Sequence, residues 1–155
     1  MIKRLYFDIL YFWNREKEQY MAGQNNYTNS DMAYNRLKNE YDTHGKLIIA
    51  FDFDNTIYDC HFKGLQLECA VTAIKKAHDL GNEVYCFTAN NDHDLVRKHS
   101  LEVLGFTPNI NESSLDYMFE SRKPFYSLLL DDRAGLDTSL RLLNTLNFYI
   151  HNRLK

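Results

Sequence analysis

The stretch "KLIIAFDFDNTIYD", residues 46 to 59, constrains this chain more than any other. Its apolar run from Leu47 to Phe51 lacks the alternation of a half-solvated strand and reads as a strand buried in a core. Two carboxylates, Asp52 and Asp54, follow at once, separated by Phe53. Side chains two apart on a strand share a side, so Phe53 turns away from the pair. Burying charge costs several kcal/mol unless a partner compensates it, and paired carboxylates at the end of a core strand therefore suggest a cation or a reaction. The plainer account is a strand that runs out into an acidic, solvated turn.

Downstream, strand and helix patterns alternate. "LQLECAVTAIKKAHDLG" predicts a helix with Ala70, Ala73, Ile74 and Ala77 on one side and Gly81 as its stop. "EVYCFT" predicts a second strand, and "DHDLVRKHSLEVLG" a second helix closed by Gly105. A weak strand falls near "FTPNI", a clear one in "FYSLLLDD", and a last helix from about Gly135. Such alternation predicts an α/β fold with a parallel sheet and helices on both faces, which binds ligands in the crevice at the carboxyl ends of its strands.

The first 45 residues differ. They are rich in Tyr and Asn, with helix-like segments on either side of the polar break "AGQNNYTNSD". The second segment, "SDMAYNRLKNEYDTH", starts at Ser30 or Asp31 as N-cap and places Met32, Leu37 and Tyr41 on one face. Residues 1–45 thus read as a helical appendage on a domain spanning 46–155, with a partner-docking arm as the alternative.

At 155 residues with 45% hydrophobic side chains, the chain fits one domain with a sizeable core. Its net charge of -3 and scattered cations give no footprint for nucleic acid, which is not favoured as a partner. Cys60, Cys69 and Cys86 form neither a disulfide framework nor a zinc spacing, and the expected compartment is a reducing cytoplasm. "MIKRLYFDILYFW" is interrupted by Asp8 and lacks a signal-peptide cleavage site. No stretch approaches the ~20 apolar residues of a membrane span.

The acidic and hydroxyl residues cluster at strand ends: Asp52 and Asp54 after the first, Thr88 after the second, Asp131 and Asp132 after the third clear strand. In a parallel sheet with these strands adjacent, all five approach one crevice. Phosphoryl transfer wants such a set. Oxygen ligands suit magnesium, which uses one or two carboxylates plus substrate phosphate, and an aspartate can act as nucleophile. A threonine hydroxyl, backbone N–H groups and a lysine such as Lys123 in "ESRKPF" can hold the phosphoryl oxygens. Arg122 competes for the cationic role, Thr56 is read as fixing its turn, and Asp132 has helix N-capping or pairing with Arg133 as a plainer role. His61 and His93 read as solvated loop residues near the crevice.

In this order, "DFDNT", "FT", "SRKP" and "LLDD", the motifs resemble those of the haloacid dehalogenase-like (HAD) superfamily over about Lys46 to Leu140. The resemblance implies a Rossmann-like three-layer α/β/α sandwich and a magnesium-dependent phosphatase. Asp52 would be the nucleophile, forming an aspartyl-phosphate, and Asp54 the general acid and base. It implies a Mg2+ site at Asp52, the Asp54 backbone carbonyl and Asp131, with Asp132 beside it. Thr88, Ala89, Asn90 and Lys123 would hold phosphate. Asn55 and the Ala89–Asn90 pair stand where many relatives have Gly. The spacing leaves no room for a cap domain at either usual insertion site, so the crevice is expected to be open.

Small phosphomonoesters such as nucleotides or sugar phosphates are the expected substrates, with a neighbouring subunit or the N-terminal segment as closures for the site. A polynucleotide-end or protein phosphatase is the alternative that the open site allows, and a non-catalytic binding module the alternative from another class. A response-regulator receiver has the same ingredients in a different order.

Overall fold

The computed structural model of the protein describes residues 30–116 and 123–155. The first N-terminal helical segment and Arg122 lie outside the described residues. The elements run α1 (Ser30–His44), β1 (Ile48–Phe51), α2 (Glu68–Asp79), β2 (Glu83–Cys86), α3 (His93–Leu104), β3 (Asn109–Ile110), β4 (Leu128–Leu130) and α4 (Leu136–Arg153). The strands form one sheet in the order β3-β2-β1-β4, and each of its three pairings is parallel. The uninterrupted apolar run in β1 follows from this position, with a neighbour on each edge and all four residues buried.

Register aligns the strand ends. Phe51 is level with Cys86 of β2 and with Leu130 of β4. The ladder continues one step further, since Asp52 N donates to Leu130 O (2.8 Å) and Phe87 N to Phe51 O (2.8 Å). The order also places a topological switch point between β1 and β4, because the chain leaves β1 toward β2 and returns to β4 on the opposite side. Crevices open at such points.

Ile49, Phe51, Val84, Cys86, Leu128 and Leu130 point to one face, where they share a core with residues of all four helices. Ile48, Ala50 and Tyr85 occupy the other face with Leu115, Phe125 and Tyr126. The expected arrangement with helices on both faces is therefore not what the described residues form: their helices lie on one face, and Leu115, Phe125 and Tyr126, between β3 and β4, pack against the other. The handedness of parallel crossovers gives the reason. A right-handed return that runs back across the sheet must cross the face opposite to the outward crossovers.

The ends of α3 follow their sequence signals. Asp92 caps α3 by accepting from Leu95 N (3.0 Å), and Gly105 closes it in the left-handed conformation with φ 82. In α1 the buried face is Leu37 and Tyr41 with Tyr34 packed beside them, whereas Met32 is 44% exposed. Positions 34, 37 and 41 keep the i, i+3, i+7 phase of a helix and position 32 does not, which corrects the expected face. Leu37 and Tyr41 join the same core as β1 and α4. Asp42 of α1 pairs with Arg153 and accepts from the Tyr149 hydroxyl (2.7 Å), both on α4. Among the described residues, no helix is long and apolar enough to cross a membrane.

Candidate active site

A cavity of about 650 Å³ opens at the carboxyl ends of β1, β2 and β4. Asp52, Asp54, Asn55, Thr88, Ala89, Asp131 and Asp132 line it, as do Cys60, His61, Phe87, Asn111 and Arg133. The residues that the sequence places at three strand ends therefore do converge. Phe53, between the two acidic residues, is fully buried, stacked on Tyr58 (5.0 Å between centroids) with His99 edge-on (5.7 Å).

Carboxylate oxygens of Asp52, Asp131 and Asp132 can all lie within 4.8 Å of one another. Burial drives the Asp52 carboxyl up from its ordinary 3.8 to about 6. The Phe53 N–H opposes that rise, while Asp131, Asp132 and Asp54 add like-charge repulsion. Three crowded carboxylate oxygens could hold a hard divalent cation such as Mg2+, which would relieve this repulsion. The donor chemistry fits the magnesium that the motif resemblance implies. Asp54 lies outside this oxygen cluster. Its carboxylate instead accepts from Asn90 Nδ2, at 3.3 Å for one oxygen and 3.4 Å for the other.

The turn after β1 is built around the Phe53 carbonyl, which accepts from Ile57 N and Tyr58 N (both 3.1 Å). His99 Nε2 lies 2.9 Å from Ile57 O and ties this turn to α3. Asn55 sits at φ 59, in the left-handed region, which asparagine tolerates better than most other side chains. Its amide also reaches Asp132 Oδ2 (3.4 Å) and accepts from Cys60 Sγ (3.3 Å). Thr56 is fully buried and does not line the cavity.

Thr88 Oγ1 accepts from Asn90 N (3.0 Å), so the β2 end curls back on itself. Asn111, a cavity residue that the sequence reading missed, clamps the Thr88 backbone. It accepts from Thr88 N (2.8 Å) and donates to Thr88 O (2.8 Å) while holding φ 55. The one available signal was an Asn directly after a weak strand. Asp131 accepts from Arg133 N (2.8 Å) and begins the turn into α4.

Lys123, expected to meet phosphate, stands with Nζ 5.5 Å from the Tyr126 ring centroid and is not among the cavity-lining residues. Arg133 is the cation that lines the cavity among the described residues. The ion pair with Asp132, the plainer role weighed for that residue, is not among the described ion pairs. His61 is exposed and lines the cavity, while His93 is exposed in the first turn of α3. All three cysteines are free thiols.

Comparison of the chain with protein-family models, curated proteins and solved structures gave no match.

Proposed function

We propose that the chain is a magnesium-dependent phosphomonoesterase of the HAD-like type, acting through an aspartyl-phosphate at Asp52. The observation that carries this reading is the convergence of Asp52, Asp131 and Asp132 oxygens at adjoining ends of β1 and β4, with Asp54 held apart by Asn90. Asp52, Asp131 and Asp132 would hold Mg2+, which when bound neutralises the carboxylates and the charge on the transferring phosphoryl group. Two carboxylates of one DxD pair thereby receive different tasks.

An Asp52 oxygen attacks phosphorus as the bond to the leaving oxygen breaks, and Asp54 gives that oxygen its proton. Asp54 then takes a proton from the water that attacks the aspartyl-phosphate, releasing inorganic phosphate and restoring both carboxyl groups. Thr88 and Ala89 border the phosphoryl position, and Arg133 provides positive charge at the cavity wall.

Hydrolysis of an aryl phosphate by the purified chain tests the proposal. Turnover should require magnesium and stop with EDTA. Asp52→Asn should abolish both turnover and acid-stable labelling of the protein by phosphate, and Asp54→Asn should lose ~10²–10⁴-fold in kcat. Full activity without any divalent cation, or in Asp52→Asn, overturns it.

A further inference from the structure

Between β1 and α2 the chain makes a loop, residues 59–65, that closes on one of its own side chains. The Asp59 carboxylate accepts three backbone N–H groups, from Lys63 (3.0 Å), Gly64 (2.7 Å) and Leu65 (3.2 Å). The Lys63 bond leads the set of N–H groups that hold this carboxyl below its ordinary range. Asp59 O also accepts from Phe62 N (3.2 Å). Cys60 and His61, on one limb of the loop, line the cavity.

The next residue, Phe62, is 84% exposed and holds φ 52. Both properties are unfavourable for an aromatic side chain. The left-handed conformation costs roughly 1–2 kcal/mol for a residue with a Cβ, and a solvated ring forgoes its burial. A slack loop would relieve both costs, but the Asp59 bonds fix this one. An unusual backbone conformation over-determined by its surroundings points to a task for the side chain it presents.

That task is set by where the loop stands. The cavity volume of about 650 Å³ falls within the ~300–1,000 Å³ typical of sites for whole small molecules and exceeds what a phosphoryl group alone requires. Among the described residues, Arg133 is the lining cation, suited to one phosphate group and not to a polyanionic backbone. Phe62 directly follows the lining residue His61, and its exposed ring offers a π-face on which a nucleobase stacks across its whole plane, whereas a sugar meets such a face only through C–H groups.

Resting on the phosphomonoesterase reading, we propose that Phe62 is the stacking platform for the base of a nucleoside monophosphate, making mononucleotides the substrate class of this site. The phosphate lies against the strand ends, and the base projects to the rim formed by the Asp59 loop. Phe62 is a specificity residue here and takes no part in the bond changes.

The experiment uses the full chain with magnesium, adenosine 5′-monophosphate and glycerol 1-phosphate, and the variants Phe62→Ala and Phe62→Trp. Phe62→Ala should lower kcat/KM for the nucleotide roughly 5- to 150-fold, the worth of one stacked base, and leave glycerol phosphate unchanged. Phe62→Trp should retain the nucleotide preference, and its fluorescence should be quenched by adenosine 5′-monophosphate but not by glycerol 1-phosphate. The parent, whose single tryptophan is Trp13, is the control. Hydrolysis of both esters with equal or no loss in Phe62→Ala overturns the stacking role and leaves the hydrolase standing. Quenching by the nucleotide without hydrolysis of either ester does the reverse. Neither hydrolysis nor quenching overturns both.

Discussion

Asp52, the proposed nucleophile, couples folding to its own protonation. Its folded pKa of about 6 exceeds the ordinary 3.8, so between these values the native protein binds more protons than the unfolded chain. Stability of the cation-free protein must then fall as pH rises through that window and stay at its lower level above it. Asp52→Asn removes the half-buried charge and, with it, the repulsion from Asp131, Asp132 and Asp54. At pH 8 without divalent cations its Tm should exceed that of the parent by a few degrees, and the difference should vanish below pH 3.8. Magnesium should raise the parent Tm more strongly above pH 6 than below it, because ligation needs the ionised carboxylate. Thermal melts across pH with and without magnesium check the sign, and a parent that gains stability from pH 4 to pH 7 without metal contradicts it.

At the scale of elements, the strand ends were legible because their signals are local. An apolar run followed by DxD, "FT" at the end of β2 and "LLDD" at the end of β4 each declare a strand and its terminus. What holds those termini in place was not legible, since it depends on residues distant in sequence. Asn111 grips Thr88 across 23 positions, and His99 reaches the Ile57 carbonyl across 42. No periodicity encodes such contacts. The role of Asn55 lay between these extremes: an Asn directly after the acidic pair hints at a turn, but its positive φ required the backbone.

Two variants of Asn111 separate its contributions. Asn111→Gly keeps the backbone freedom that φ 55 needs and deletes the two bonds to Thr88. It should cost about 1–3 kcal/mol, from roughly 0.5–1.5 for each bond. Asn111→Ala adds the left-handed penalty of roughly 1–2 kcal/mol. Both should lower the proposed phosphatase activity by loosening Thr88. Urea titration should rank the parent above Gly and Gly above Ala; equal stability of the two variants would show that φ is irrelevant there.

For the whole molecule, the sheet order explains why so short a chain makes an open site. β1 is central, its two neighbours end level with it, and the loops diverge at the switch point, so the crevice needs no further domain to exist. Alternation of strands and helices indicated the parallel sheet but not which face each helix takes, because one amphipathic stripe fits either face until the crossover direction is known. The same limit applied to α1, whose place in the core is set by contacts with α4 and not by its own pattern. Leu37 is fully buried in the main cluster, whereas Met32, five residues earlier, is 44% exposed. If α1 completes the core that supports β4 and its Asp131 turn, Leu37→Ala should cost ~2–5 kcal/mol and Met32→Ala less than about 0.5. The loss in Leu37→Ala should extend to magnesium-dependent stabilisation at temperatures where the helix detaches, since Ser127, directly before β4, bonds to Glu40 of α1 and its carbonyl accepts from Arg36 (3.1 Å). Calorimetric melts of the two variants with and without magnesium decide this, and a Leu37→Ala protein that melts like the parent would make α1 an attachment to the domain.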